Sequence, residues 1–241
     1  MKMNTDTNPG LKVKTLLVDI DTTLVAPKSE ASGDISPELC LASLVAEKHN
    51  ISIEKAKLKI QTLEKSIKNM VGNIWPFGIL ESLSIAEKEL WHVLAQEAEK
   101  KLFMYSDAKD FLIGLKRYSD IKVYTATTNP GIIIFAKLSI GGLADKYGSM
   151  YLDGAFGGEE VHPGGKSTPE FYKALLKKTG AASDSTLMVG DHVKMDLELA
   201  RAAGIKQVVL VNRAMRDDWT YEPEGPLYVK SLNNIFDFFV D

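Results

Sequence analysis

The sequence predicts an α/β fold, in which a doubly wound parallel sheet carries one inserted all-α segment. Short apolar runs bounded by polar residues, the first at residues 16–18, are typical of strands that are buried on both faces of such a sheet. After residue 104 these runs alternate with helical patterns, and that alternation favours parallel strands joined by right-handed crossovers. Between residues 26 and 104 helical patterns follow one another without a strand, which indicates an insertion.

Composition and charge exclude several classes of protein. The net charge of −3, from 29 basic and 32 acidic residues, offers no basic surface for a nucleic acid or an anionic membrane. Cys40 is the single cysteine, so an internal disulfide is excluded and a reducing compartment is favoured. No apolar run is long enough to span a bilayer, and the first ten residues lack the apolar part of a secretory signal. We therefore expect a cytoplasmic protein with no nucleic-acid and no membrane partner.

The chain divides into a tail, a core and the insertion. We expect residues 1–11 to be an N-terminal tail, residues 12–25 and 105–241 to form the core, and residues 26–104 to form a helical segment with its own hydrophobic centre. The length of 241 residues suits one core domain with one smaller insertion.

Within the helical segment, Ser36 followed by Pro37 predicts the start of a first helix. Ser84, with Glu87 three positions later, predicts a capping box at the start of another. Between them, apolar residues spaced by three and four mark one face of a long helix: Ile53, Ala56, Ile60, Leu63, Ile67 and Met70. The opposite face of that helix is rich in lysine, and we expect it to be solvated, with attraction of an anion as the alternative.

The core continues as alternating strands and helices. We predict strands at residues 12–19, 121–127, 186–189, 207–211 and 228–229, and a short strand within residues 150–156. We predict helices at residues 110–118 and 132–138, from Pro169 onward, and at residues 194–203 and 235–240.

Two acids follow the first strand directly. If the chain stays extended, Asp19 and Asp21 point the same way, because residues two apart share a face. Carboxylates so close repel each other unless a cation or a proton lies between them. The pair suits a divalent metal, or a nucleophile beside an acid/base; the alternative is a strand that leads into a capped turn.

Polar residues gather at three further strand ends or helix starts. The hydroxyls and backbone N–H groups of residues 125–129 could hold a phosphate, or they could only cap the helix that follows. Lys166 follows two glycines and precedes a helix start, where it could neutralise an anion. Asp191 comes directly after a buried strand, which stability does not explain, whereas Asp196 in the next helical turn also suits the helix dipole.

Taken in order, these residues resemble the haloacid dehalogenase-like superfamily, and in particular its phosphatases. The family pattern is Asp-x-Asp-x-Thr, then Ser or Thr after a strand, then Lys before a helix, then Gly-Asp with a further Asp. The pattern is carried here by Asp19, Asp21, Thr23, Thr127, Lys166, Gly190, Asp191 and Asp196. Order, spacing and strand context agree over residues 12–240.

The chain departs from the family pattern at two positions and leaves one open. Thr22 stands where the family most often has glycine, and Lys166 is followed by serine rather than the common proline. The residue of the second motif is open between Thr125, Thr127 and Thr128. Thr127 is favoured because its distance to the end of the following helix suits the family.

The resemblance implies a Rossmann-like core with a helical cap over the site, inserted between the first and second motifs, which usually sets substrate specificity. Trp75 and Phe77 are candidates for a cap loop near the entrance, with a place in the cap's core as the alternative. The resemblance also implies that Asp19 attacks phosphorus, and that Asp21 protonates the leaving oxygen and later activates water.

The remaining roles are implied in the same way. Mg²⁺ would be held by Asp19, the backbone carbonyl of Asp21 and Asp191, with Asp196 orienting the metal shell directly or through water. Thr127 and Thr128 would bind phosphate, and Lys166 would balance its charge and hold Asp19 in place.

We therefore expect a Mg²⁺-dependent phosphatase for a small phosphorylated metabolite, acting as a monomer or homodimer. The family's dehalogenases lack an acid at the position of Asp21, because no leaving oxygen needs a proton. Two alternatives remain open: a phosphomutase acting on a sugar phosphate, and a non-catalytic binding or regulatory module on the same fold.

Overall fold

The structure, a computed structural model, describes residues 10–67, 76–221 and 225–240. Met70 and Trp75, both singled out in the sequence, lie outside these ranges, as does the side chain of Phe77. Within the described parts of the chain, every helix is too short or too polar to cross a lipid bilayer.

A six-stranded sheet forms the core. Its strands are β1 (Thr15–Val18), β4 (Lys122–Thr125), β5 (Thr186–Gly190), β6 (Gln207–Val211), β7 (Trp219–Tyr221) and β8 (Leu227–Val229). They lie in the order β4-β1-β5-β6-β8-β7, and every neighbouring pair is parallel except β7 with β8. The antiparallel edge strand β7 was not predicted.

Helices cover both faces of the sheet, so the predicted doubly wound arrangement is confirmed. The core helices are α5 (Ser106–Leu115), α6 (Gly131–Ser139), α7 (Pro169–Thr179) and α8 (Leu199–Ala202), with a 3-10 helix at Leu232–Phe238. Side chains alternate along β1: Leu16 and Val18 pack against α5 and the last 3-10 helix, whereas Leu17 packs against α7 and α8.

Along the chain, four helices follow one strand of a separate antiparallel ribbon and precede the other. The ribbon pairs β2 (Val25–Pro27) with β3 (Leu102–Met104). Between these strands run α1 (Pro37–His49), α2 (Ile53–Ile67), α3 (Phe77–Ser82) and α4 (Glu87–Lys101). Their buried side chains form one cluster that also includes Ile132, Ile133 and Ala136 of α6. The ribbon was not predicted, because strands of three residues are too short to show a period.

The start of α4 corrects one prediction. The N-cap residue is Ala86 rather than Ser84, and the carboxylate of Glu89, not of Glu87, accepts the backbone N–H of Ala86 at 2.7 Å. Ser84 instead has a left-handed backbone with φ of 53°. A residue in that conformation cannot serve as an N-cap, whose backbone is extended.

The short strand predicted within residues 150–156 is reduced to a single parallel bridge. All seven residues are described, and their backbone pairs with β4 at one bridge, between Tyr124 and Gly154, where Asp153 donates to the carbonyl of Val123 at 2.7 Å and Thr125 donates to that of Gly154 at 3.3 Å. The hydroxyl of Thr125 takes the place of a ladder partner, since it donates to the backbone oxygen of Phe156 at 2.9 Å and accepts that residue's N–H at 2.7 Å. A side chain has therefore satisfied the backbone groups that a strand would have paired.

Two helical predictions differ in type. The helix expected at residues 194–203 begins as a π-helix (Val193–Glu198) and becomes α-helical only in α8. Single π turns of this kind occur often at functional sites. The helix expected at residues 235–240 is the 3-10 helix, which begins earlier, at Leu232.

Candidate active site

The carboxyl ends of β1, β4 and β5 meet at one edge of the sheet. Val18 pairs with Thr125 of β4 on one side and with Val189 of β5 on the other. The backbone N–H of Asp19 donates to the carbonyl of Val189 at 2.9 Å, so the pairing continues one residue past the strand. Asp19 therefore lies between the residues that follow β4 and those that follow β5, where ligands bind in parallel sheets.

Lys166 joins two buried acids. Its Nζ lies 2.7 Å from Oδ1 of Asp19 and 2.5 Å from Oδ1 of Asp196. The exposed fractions of these residues are 2% for Lys166, 8% for Asp19 and 0% for Asp196. A short 3-10 turn, Gly165–Ser167, places the lysine there. We call Asp19, Lys166 and Asp196 the buried triad.

Burial and charge act in opposite directions on Asp19 and Lys166. It raises the pKa of Asp19 to about 7, with a further upward contribution from Asp196, while the charge of Lys166 acts in the opposite direction. Burial lowers the pKa of Lys166, but the negative charge of Asp19 and its neighbours outweighs that effect, so the pKa lies above its usual range. Lys166 therefore remains a cation, and burial keeps the pKa of Asp19 above its ordinary value.

Asp196 also fixes the loop that carries Asp191. Its Oδ2 accepts the backbone N–H of Asp191 at 3.0 Å and that of His192 at 2.9 Å. A Cβ at Gly190 would lie 2.2 Å from the same oxygen, so the approach requires glycine. The spacing of Gly190, Asp191 and Asp196 thus has a structural cause. His192, whose Nδ1 accepts the N–H of Met195, caps the π-helix.

Among the described residues, Asp19, Asp191 and Asp196 form a group of acids that could hold a metal ion. Each offers one carboxylate oxygen, and these oxygens lie within 4.8 Å of one another. Carboxylate oxygens are the donors that Mg²⁺ prefers, so the residues fit that ion. Both oxygens of Asp196 already contact Lys166 or backbone N–H groups. Its present contacts therefore suit an orienting role better than direct ligation.

Thr22 and Thr23 connect the acids after β1 to Asp191. The hydroxyl of Thr22 donates to the backbone oxygen of Asp21 at 2.7 Å and is also hydrogen bonded to Oδ2 of Asp191. The hydroxyl of Thr23 lies 3.1 Å from Oδ1 of Asp191. Thr22 has a φ of 57°, a region that glycine enters most easily, which accounts for the glycine usual in the family.

Arg213 holds the backbone of this turn in place through hydrogen bonds. Its guanidinium donates to the carbonyls of Thr22 at 3.2 Å and Thr23 at 2.9 Å, and it pairs with Asp107 at 3.1 Å. The guanidinium also stacks on the ring of Tyr105, 3.6 Å from its centre. Sequence reasoning missed Arg213, because its partners are about 190 and 106 positions away along the chain.

The carboxylate of Asp21 has partners of its own, separate from those of Asp19. Its Oδ1 is bonded to Nζ of Lys137, and its Oδ2 accepts the side-chain amide of Asn129 at 2.5 Å. Lys137 also contacts Oδ2 of Asp34 at 2.7 Å. We call Asp21, Lys137 and Asp34 the half-exposed triad, because its two side-chain carboxylates are 39% and 48% exposed while Lys137 is fully buried.

Sequence reasoning also missed Lys137, Asn129 and Asp34. A signal existed for the first, since Lys137 is the only charged residue in the otherwise apolar helix α6. Asn129 lies in the polar stretch that was singled out, but it was not assigned a role. Asp34 lies in a linker with no feature that sets it apart.

The three candidate threonines after β4 differ in their surroundings. The hydroxyl of Thr125 is fully engaged with Phe156. Thr127 is only 1% exposed. Its hydroxyl accepts a hydrogen bond from the side-chain amide of Asn129 at 3.2 Å and so lies next to Asp21. Thr128 is exposed. Of the two buried hydroxyls, that of Thr127 lies on the side of the acids.

The start of α6 is already occupied by an acid. Both carboxylate oxygens of Glu160 accept the backbone N–H of Gly131, at 3.0 and 3.1 Å. Burial raises the pKa of Glu160, although this hydrogen bond opposes the shift. The helix start itself is thus not open to a phosphate. A phosphate could be bound only by the residues that precede the helix.

Solved structures share this fold. A HAD phosphatase from Thermococcus onnurineus superposes with a TM-score of 0.52 at 22% identity, covering 93% of this chain and 97% of its own. A putative beta-phosphoglucomutase from Thermotoga maritima gives 0.54 at 18% identity, covering 95% and 100%. A magnesium-bound putative HAD-hydrolase from Bacillus subtilis gives 0.52 at 18% identity, covering 94% and 98%.

A search of curated proteins found no match to this sequence. The family model for haloacid dehalogenase-like hydrolases matches residues 13–204, which include every residue of the two triads. The chain therefore belongs to the haloacid dehalogenase-like hydrolases.

Proposed function

We propose that the protein is a Mg²⁺-dependent phosphatase that hydrolyses a phosphate monoester of a small metabolite through a phosphoryl group carried on Asp19. One observation carries this proposal: two acids two residues apart are held by two different lysines. Asp19 is bonded to Lys166 and Asp21 to Lys137. A nucleophile and a separate proton donor are what transfer from an oxygen leaving group requires.

In the first step an Asp19 oxygen forms a bond to phosphorus while the bond to the leaving oxygen breaks. Asp21 gives its proton to that oxygen. In the second step Asp21 takes a proton from water, whose oxygen attacks phosphorus and releases Asp19. Lys166 holds Asp19 and balances the charge of the phosphate, while the hydroxyl of Thr127, with Thr128 beside it, binds phosphate oxygens.

The proposed metal site uses Asp19, Asp191 and the backbone carbonyl of Asp21, with Asp196 orienting Asp191. The proximity of these acids and the hardness of their oxygen donors support Mg²⁺. When bound, the ion would offset the negative charge shared by Asp19 and the phosphate.

We also propose that the helical segment, residues 26–104, is a cap that selects the substrate. It is joined to the core by the β2–β3 ribbon, and α4 packs on α6, the helix that carries Lys137.

Phosphate release from an aryl phosphate tests the function. We expect release with Mg²⁺, none with a chelator, and none from Asp19→Asn. Asp120→Asn is the matched control, because Asp120 is exposed and precedes β4, at the opposite end of the sheet. Activity that survives Asp19→Asn would contradict the proposal, and an isomerised sugar phosphate in place of free phosphate would assign a phosphomutase.

A further inference from the structure

We propose that Lys137 is a positioning residue that holds the carboxylate of Asp21 for proton transfer and ties it to Asp34. The proposal rests on the proposed function and assigns a role that the family motifs do not contain. It starts from one side chain in α6 whose position stability does not explain.

Lys137 is a buried cation beneath two accessible acids. Its side chain has no exposed surface, whereas those of Asp21 and Asp34 are 39% and 48% exposed. Among the described residues, Nζ has two carboxylate partners: Oδ1 of Asp21, and Oδ2 of Asp34 at 2.7 Å. The remainder of α6 is uncharged, and its buried apolar side chains belong to the hydrophobic clusters on either side of it.

Stability alone would favour an apolar residue at this position. Taking an ammonium group out of water is costly, and replacing a buried ion pair by an apolar side chain of similar size is often neutral or stabilising. Both acids could be hydrated without the lysine, because each is partly exposed. The lysine therefore contributes little to folding, and its contacts point to a role in placing Asp21.

Two donors fix the orientation of Asp21. Lys137 holds Oδ1, and Asn129 holds Oδ2 at 2.5 Å. Both oxygens of this carboxylate therefore have a donor, and neither belongs to the group formed by Asp19, Asp191 and Asp196. A proton can be transferred only from a group within hydrogen-bond reach of the leaving oxygen, so a carboxylate with a fixed orientation is more effective than a rotating one.

Asp34 extends this contact to the helical segment. It precedes α1 and follows β2, in the linker between the core and the four helices. The Lys137 ammonium thus joins the proposed proton donor to the linker of the proposed cap. Asp34→Ala should leave Lys137 bonded to Asp21 alone and so should have a smaller effect than loss of the lysine.

The test compares two substrates in Lys137→Met, with Mg²⁺ present. An aryl phosphate with an acidic phenol needs little protonation of its leaving oxygen, whereas an alkyl phosphate depends on it. We expect kcat/KM, which reports the first chemical step, to fall about 100-fold for the alkyl phosphate and about threefold or less for the aryl phosphate. Lys122→Met is the matched control, because its ion pair with Asp153 lies on the surface, 58% exposed at the lysine.

Thermal unfolding of the same variants shows whether a loss of activity comes from a displaced Asp21 carboxylate or from loss of the folded state. If Lys137→Met does not fold, Lys137→Gln, which keeps a polar end without the charge, takes its place. An equal fall for both substrates, or no fall for either, would overturn the role of Lys137. No phosphate release by the wild type from either substrate would overturn the proposed function as well, so the two failures are distinguishable.

Discussion

The two acids after β1 are held by two lysines in opposite surroundings. In the buried triad, Lys166 lies between Asp19 and Asp196, and all three residues are buried. In the half-exposed triad, Lys137 is equally buried, but Asp21 and Asp34 remain open to solvent. The same ion-pair arrangement thus occurs twice, with a different degree of exposure at the acids.

The difference matches the work proposed for each acid. A nucleophile must keep one position, and a buried carboxylate that is bonded to an equally buried cation cannot turn away. An acid/base has to exchange protons with water and with a leaving group, which requires an open side. Exposure, rather than the type of partner, distinguishes the two acids.

The largest effect on stability should come from removing Lys166, and the loss should be much larger than that from removing Lys137. Lys166→Met leaves two buried carboxylates without a cation, so we expect it to lower the free energy of unfolding by about 3–5 kcal/mol. Lys137→Met leaves acids that water can reach, so we expect a change within about 1 kcal/mol. Urea denaturation measures both, and equal losses would remove the distinction between the triads.

Metal binding should depend on Asp191, a proposed ligand, and not on Asp34 of the half-exposed triad. We expect Mg²⁺ to stabilise the folded wild type and so to raise its unfolding temperature. At a concentration 100 times the Kd, the free energy of unfolding should rise by about 2.7 kcal/mol. Asp191→Asn should lose most of this gain, since it removes a proposed ligand, and Asp34→Asn should keep it. Calorimetric titration with Mg²⁺ gives the affinities, and equal affinities for the two variants would contradict the proposed ligand set.

The pKa of Asp19 predicts how stability changes with pH. Burial raises this pKa from 3.8 to about 7, so between these values the folded state binds a proton that the unfolded state releases. The stability from Asp19 is therefore fully present at low pH and lost as the pH rises to about 7. Asp19→Asn cannot ionise, so it should gain stability relative to the wild type on going from about pH 4 to about pH 8, by at most about 4 kcal/mol.

This comparison is made with a chelator present, because a bound cation would favour the charged carboxylate. Unfolding midpoints of Asp19→Asn and Asp120→Asn are measured across the pH range. A relative gain that appears as the pH falls, rather than as it rises, would contradict the assigned effect of burial.

The smallest effect should come from Thr22. Its hydroxyl contacts both the Asp21 carbonyl and Asp191, two of the proposed ligand groups, so a cation has to compete with it. We expect Thr22→Gly to tighten Mg²⁺ binding by about threefold, or roughly 0.7 kcal/mol, a gain within the net value of one hydrogen bond. Thr22→Ser keeps the hydroxyl and should bind as the wild type does; weaker binding by Thr22→Gly would refute this.

The sheet and the acids at its edge were predictable because they depend on local patterns. Buried runs identify the strands, and the carboxyl ends of parallel strands meet at one edge, so the proximity of Asp19 and Asp191 follows from the fold. The predicted start of α7 at Pro169 is likewise confirmed, since proline at the first helical position is a local signal.

The half-exposed triad was not predictable, because it depends on contacts between distant parts of the chain. Lys137 meets Asp21 and Asp34 across 116 and 103 positions. Its place as the only charged residue of α6 sets it apart in the sequence but does not show its partners. The short strand expected within residues 150–156 is reduced to one bridge for a related reason, since the distant hydroxyl of Thr125 took over backbone groups of Phe156.

The division of labour between Asp19 and Asp21 is tested most directly by locating the phosphoryl group. Asp21→Asn is allowed to react with an activated aryl phosphate and Mg²⁺, quenched with acid, digested and analysed by mass spectrometry. The account predicts that the variant accumulates phosphate on the peptide that contains Asp19, because the first step needs little acid help and the second lacks its base. Phosphate on another residue, or hydrolysis at the wild-type rate without any covalent phosphate, would contradict it.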